Sequence, residues 1–276
     1  MTPLFAGFEG ARLHWSGVDT LAQTRHLPGQ GMARHYAAAI EQGAQGFRDT
    51  LPCRFDPLER WNCARAEAPN ALIVWSMVHF DQPQDPLHHA QNVARILGPR
   101  DRAIAVNEPS VGHPISGYSR EDATMRAAAM MGAALAANPD LLFWTCDPAH
   151  ACHDDVWRAT DRLVRLFGSS IEVVGLNYHA CWSDAPLRDV LRCAADRYPD
   201  HRIALTETSW HDGLPAAEER HPHVRSRRDW WLQVQGEIDA SGVPLVCATW
   251  APWLDMAWEP GEVWPNGWPA HQMEAA

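Results

Sequence analysis

A chain of 276 residues with 46% hydrophobic and 21% charged residues has an ordinary globular composition and buries roughly three quarters of its unfolded surface, which excludes a disordered or fibrous protein. Its net charge of −11, with Lys and Arg scattered rather than gathered into a stripe, excludes the basic footprint of a nucleic-acid binder and fits a neutral or weakly charged small-molecule partner. No run of about 18 apolar residues occurs, and Met1-Thr2-Pro3-Leu4-Phe5 has neither a basic nor a long apolar stretch, so the sequence predicts a soluble chain without a membrane partner or export signal.

In chain order, short β-rich runs recur at about 30-residue intervals, at residues 4–8, 43–48, 71–79, 103–107, 141–145, 173–178, 203–206 and 245–250. Between them, residues 35–42, 55–67, 86–97, 120–137, 156–166, 186–197 and 225–240 carry helical apolar spacing. Strands alternating with helices imply parallel βαβ units, and eight strands is the barrel number, so the prediction is α/β: a single (β/α)8 barrel over residues 1–276. Seven cysteines, odd in number and without a Cys-x-x-Cys pair, predict reduced thiols and a cytoplasmic protein rather than a disulfide framework or zinc knuckle.

Active sites of this fold collect at the C-terminal ends of the strands. Those ends read Glu9, Arg48, His79 with Asp81, Asn107 with Glu108, Asp147 with His150, Asn177 with Tyr178 and His179, Glu207, and Trp250. Glu108 and Glu207 each follow an apolar run, on the fourth and seventh strands, and so face one another across the mouth. Two facing carboxylates are the minimum apparatus of glycoside hydrolysis: one protonated to serve the leaving oxygen, one ionised to attack the anomeric carbon. Arg48, approaching from the second strand, favours an ionised Glu207. A retaining double displacement predicts carboxyl groups roughly 5–5.5 Å apart.

Fourteen tryptophans stand out, with Trp250, Trp253, Trp258, Trp264 and Trp268 crowded at the end. Core filling accounts for any single one; several after one strand suggest aromatic faces lining a sugar cleft. His150, Cys152, His153, Asp154 and Asp155 read alternatively as metal ligands, but the first strand ends Gly7-Phe8-Glu9-Gly10, without the His-x-His usual in barrel metallohydrolases. No metal or cofactor is implied, and His221-Pro222-His223 reads as a solvated loop.

Several segments together resemble glycoside hydrolase family 1, the β-glucosidase family of retaining (β/α)8 glycosidases. His35-Tyr36 leading to Gly43-Ala44-Gln45-Gly46-Phe47-Arg48 resembles its "YRFS" strand, Val78-His79-Phe80-Asp81 its "HWDLP", and Asn107-Glu108-Pro109 its "NEP". Gly175-Leu176-Asn177-Tyr178 resembles "GINYY", Thr206-Glu207 "TEN", and Ala248-Thr249-Trp250 "AWS". The resemblance implies Glu108 as acid/base and Glu207 as nucleophile. It further implies Arg48, His79 and Asn107 at the nucleophile or sugar hydroxyls, Asn177 and Tyr178 in the sixth-strand motif, and Trp250 as the floor of the central subsite. His179 stands where the family has its second tyrosine, Glu9 or a neighbour replaces a sugar-binding glutamine, and Ala257-Trp258 stands at a Glu-Trp pair.

The chain is also shorter than typical members, which implies trimmed loops and an open leaving-group side. The sequence therefore predicts a retaining glycoside hydrolase of a small carbohydrate or glycoside. The competing readings are a transglycosylase using the same residues, a metal-dependent barrel hydrolase and a non-catalytic sugar-binding barrel.

Overall fold

The structure, a computed structural model, describes residues 2–7, 36–37, 39–41, 43–51, 56–78, 83–111, 119–149, 151–210 and 215–250. Glu9, His79, His150 and Trp258 lie outside the described residues, as does the side chain of Trp250. Among the described residues nine strand segments form one sheet: β1 (Leu4–Gly7), β2 (Gly46–Thr50), β3 (Leu72–Ser76), β4 (Asp101–Ile104), β5 (Phe143–Trp144), β6 (Asp147–Pro148), β7 (Ile171–His179), β8 (Arg202–Ser209) and β9 (Leu245–Trp250). They run in the order β5-β4-β3-β2-β1-β9-β8-β7-β6. All pairings are parallel. Because β5 pairs with both β4 and β7, the sheet closes, with β5 and β6 as two pieces of one stave. The result is the expected (β/α)8 barrel.

Around it lie α1 (Pro57–Glu67), α2 (Pro86–Ile96), α3 (Arg120–Ala137), α4 (Asp154–Phe167), α5 (Leu187–Arg197), α6 (Pro215–Arg220) and α7 (Arg227–Ser241), with residues 36–37 and 39–41 also helical. Local chemistry sets their starts. Asp56 and Asp85 accept hydrogen bonds from Leu58 N (2.9 Å) and His88 N (3.0 Å), each just ahead of a proline at the first helical position. Ser119 and Ser226 cap α3 and α7 in the same way. Among the described residues no helix is long and apolar enough to cross a membrane.

Two strand boundaries differ from the sequence expectation for identifiable reasons. β2 begins at Gly46 rather than Gly43, because Gly43 is left-handed (φ 91°) and its N–H closes the preceding helix on Ile40 O at 2.9 Å. The fifth stave breaks between Trp144 and Asp147, beside a register shift against β7.

Inside the barrel the side chains stack in layers. At the N-terminal ends of the staves, Glu172 accepts from Arg102 Nε (2.5 Å), Trp144 Nε1 (3.0 Å) and Arg202. Above it Val74, Ile104, Trp144, Val173, Ala204 and Cys247 form a small apolar cluster, separate from the larger core between sheet and helices. Alternation along β7 sends Val174, Leu176 and Tyr178 to that outer core. Among the described residues, Trp75, Trp157, Trp230 and Trp231 are fully buried, which bears out core filling for them.

Gly175 separates the apolar layer from the polar one above. A Cβ there would lie 2.2 Å from Thr145 O and 2.5 Å from Thr206 Cγ2, so the stave can approach only without a side chain. Gly175→Ala should therefore destabilise the fold by about 1–3 kcal/mol. Calorimetry should show this as a lowered Tm, and an unchanged Tm would refute the close packing.

Candidate active site

Arg48 rises from β2 into the centre of the barrel and is 1% exposed. Its Nη1 donates to Glu207 Oε1 and to Thr206 O (3.0 Å), with Asn177 Oδ1 at 3.4 Å. Its Nη2 donates to Asn107 Oδ1 (2.6 Å) and meets Cys146 Sγ at 2.9 Å. One guanidinium thus gathers groups from β7, β8 and the chain following β4 and β5. A planar fork with five donors suits this convergence as lysine would not.

Glu207 reaches the interior through a β-bulge. The β7–β8 register runs Leu176↔Leu205 and then Asn177↔Glu207, leaving Thr206 as the extra residue. Thr206 faces inward, its Oγ1 donating to Asn177 Oδ1 (2.9 Å), so strict alternation would have turned Glu207 outward. The bulge resets the phase: Thr208 is outward, accepting from Trp230 Nε1 (3.1 Å), and Ser209 is inward, bonded to His179 Nδ1 (3.0 Å). Glu207 is 2% exposed, with His179 Nε2 at 3.4 Å from its Oε2. A carboxylate paired with a buried guanidinium is held as an anion.

Glu108 reaches the same space by a different irregularity: φ is +48°, the left-handed region that a non-glycine residue adopts at a cost. Flanking bonds hold it, Asn107 N to Val78 O and Glu108 N to Cys146 O, both 2.9 Å. Its Oε1 accepts from Asn177 Nδ2 at 2.8 Å. Asn177 cannot turn over, because its Oδ1 already faces Thr206 Oγ1, Arg48 Nη1 and Cys146 Sγ. Burial, and next the neighbouring Glu207 charge, push the Glu108 carboxyl up to about 7.

Of the residues singled out from sequence, Arg48, Asn107, Glu108, Asn177, His179 and Glu207 converge. Tyr178 does not. It points to the outer layer, donating from its hydroxyl to Ala185 O (3.0 Å) and stacking on Trp230 at 5.8 Å, because period-two alternation puts it opposite Asn177 and His179. Sequence reasoning missed Cys146, whose thiol lies 2.9 Å from Asn107 Oδ1 and 3.2 Å from Asn177 Oδ1, and Ser209. It also missed Trp182, 44% exposed and edge-on to His179 at 5.3 Å. The break in the fifth stave and the bulge in β8 leave no periodic signal.

Of the residues considered as metal ligands, His150 lies outside the described residues, and Cys152, His153, Asp154 and Asp155 form no metal-ligand group among the described residues. His153 precedes α4, Asp154 pairs with Arg197 and Asp155 with Arg158. Among the described residues, metal-ligand spacing occurs only at Glu108, His179 and Glu207, which each bring one ligand atom within 4.8 Å of the others. A dication there would compete with Arg48 for Glu207, so the residues present suit proton handling better than metal binding.

The sequence matches no protein-family model and no curated protein. Among solved structures, the chain is similar in fold to glycoside hydrolases. It matches a GH5_18 protein from Streptomyces cattleya in complex with GlcNAc at TM-score 0.63 and 13% identity, covering 90% of this chain and 70% of that one. It matches an exo-β-1,4-mannosidase from Opitutaceae bacterium strain TAV5 at TM-score 0.60 and 13% identity, covering 91% and 53%, so it spans about half the mannosidase's length. The Ignisphaera aggregans GH53 catalytic domain follows at TM-score 0.55 and 16% identity, covering 77% and 75%. These likenesses establish the shared barrel, and membership of family 1 finds no support in them.

Removing one partner of a buried ion pair strands the other charge, so Arg48→Met should destabilise the protein by about 3–5 kcal/mol. Adding Glu207→Gln should recover part of that loss. Denaturant unfolding of the single and double variants checks this, and simple additivity would refute the coupling.

Proposed function

We propose that this chain is a retaining glycoside hydrolase acting on a β-glycoside, with Glu207 as nucleophile and Glu108 as general acid and then base. The observation that carries the reading is the asymmetry of two closely placed carboxylates. Glu207 is paired with Arg48, whereas Glu108 receives only the neutral amide of Asn177 among its described hydrogen bonds and is pushed up to about 7. One is suited to attack as an anion while the other holds a proton.

Their ligand atoms lie within 4.8 Å, a spacing that favours direct attack over the wider gap an inverting water needs. In the first step a Glu207 oxygen bonds to the anomeric carbon while Glu108 gives its proton to the departing oxygen. In the second, Glu108 takes a proton from water, and the hydroxide displaces Glu207. His179, 3.4 Å from Glu207, orients the nucleophile. Among the described residues nothing accepts from the Asn107 amide, so its N–H groups are available to a sugar hydroxyl. The Trp182 indole supplies an apolar wall beside His179. The fold neighbours, an exo-β-1,4-mannosidase and a GlcNAc complex, favour a pyranoside as the class to screen first.

Incubation with a panel of fluorinated glycosides, followed by peptide mass analysis, should find the sugar on Glu207. Label elsewhere, or none with any glycoside that is turned over, would sink the double displacement. Glu207→Ala should abolish turnover of every substrate. Glu108→Ala should keep kcat/KM for a dinitrophenyl glycoside within about tenfold and lose about 10²–10⁴-fold for an alkyl glycoside, with azide restoring turnover of the former.

Glu108 is raised, so the acid is competent below its pKa and lost above it. The kcat/KM of the unactivated substrate should therefore decline above about pH 7. The dinitrophenyl glycoside, whose leaving group needs no proton, should show no such limb. An equal limb with both substrates would assign it to another group.

A further inference from the structure

We propose that Asp147 is a positioning residue that holds Glu108 in its proton-donating geometry. The inference rests on Glu108 acting as acid/base, and it concerns a carboxylate that touches neither Glu108 nor the space between the two glutamates.

Asp147 begins the second piece of the broken stave and is 1% exposed. Its Oδ1 accepts from Ser110 N at 3.0 Å, and its Oδ2 accepts from Thr160 Oγ1 at 2.5 Å. Thr160, also 1% exposed, lies on α4. The side chain therefore ties the helix behind the barrel to the backbone two residues beyond Glu108. That backbone needs tying. Glu108 sits at φ +48°, a conformation that is costly in a non-glycine residue and persists only where its surroundings over-determine it.

Four bonds do so around the turn: Asn107 N to Val78 O, Glu108 N to Cys146 O, Val111 N to Glu108 O (3.1 Å) and Ser110 N to Asp147. The last alone is made by a side chain, and it comes from the residue next to Cys146. The break in the stave, which frees residues 145–146 from continuous strand pairing, thus delivers two consecutive residues to one turn, one through its carbonyl and one through its carboxylate. Burial pushes the Asp147 carboxyl up to about 6 despite the bonds from Thr160 and Ser110, so the protein keeps a costly group there with both oxygens occupied.

The test uses the full chain with Asp147→Ala, Asp147→Asn and Thr160→Val, each compared with Glu108→Ala. The readout is the ratio of kcat/KM for a dinitrophenyl glycoside to that for an alkyl glycoside of the same sugar, which is independent of the fraction of protein folded. Misplacing the acid by about 1 Å can cost about 10²-fold, so Asp147→Ala should raise that ratio by about 10–10²-fold, with the activated substrate changing less than about threefold. Asp147→Asn retains an oxygen for Ser110 N and should stay within about threefold of the native ratio, while Thr160→Val, which removes one anchor of the carboxylate, should raise it about two- to fivefold.

A native ratio in folded Asp147→Ala overturns the proposal. If that variant does not fold, a native ratio in Thr160→Val overturns it instead. A Glu108→Ala variant without leaving-group dependence would instead overturn the acid/base assignment, so the two failures are told apart.

Discussion

The polar half of this barrel depends on burying one guanidinium. Taking Arg48 out of water costs several kcal/mol even after relaxation, and it is tolerable only if strong acceptors surround it. They do: the Glu207 carboxylate, the Thr206 carbonyl, the Asn107 and Asn177 amide oxygens and the Cys146 sulfur. The acceptors come from four staves or their ends, so satisfying Arg48 fixes how those staves stand relative to one another at the level of the site. The rigidity that a reaction needs and the electrostatic satisfaction that folding needs are met by the same contacts.

The two glutamates share one site yet reach it by unlike means, and the means set their chemistry. The bulge at Thr206 drops Glu207 onto the guanidinium, beside His179. The left-handed turn at Glu108 holds its carboxyl against the Asn177 amide alone among the described hydrogen bonds. Had both arrived by ordinary alternation, neither backbone device would be needed and the two environments would be harder to separate. Because Asn177 spans the gap, with its oxygen toward the cationic side and its amide toward Glu108, the charge asymmetry is built into one side chain that cannot turn over.

Alternation of strands and helices made the barrel legible in the sequence, and strand ends followed by polar residues pointed to the rim, because both follow from periodicity. The convergence of Arg48, Asn107, Glu108, Asn177, His179 and Glu207 follows from the same placement. Period two also explains the error at Tyr178: two residues flanking it face inward, so it faces the outer core. The phase change at Thr206, the broken stave at residues 145–146 and the left-handed Glu108 were not legible, since each departs from the period that makes sequence readable. Cys146 was missed for that reason, and a cysteine beside a guanidinium carries no pattern of its own.

The interior below the site explains why its charges interact so strongly. Beneath Arg48, the side chains of Val74, Ile104, Trp144, Val173, Ala204 and Cys247 fill the barrel, and beneath them Arg102, Glu172 and Arg202 meet the solvent end. Among the described residues this apolar layer separates the polar layer from the solvent end below. In such a medium the attraction of Arg48 for Glu207 and the repulsion between Glu207 and Glu108 are both larger than at a protein surface. A substrate closing the mouth would remove the remaining water and sharpen both. The division of the barrel into an apolar lower layer and a polar upper one therefore strengthens the very asymmetry between the two carboxylates on which the proposed chemistry relies.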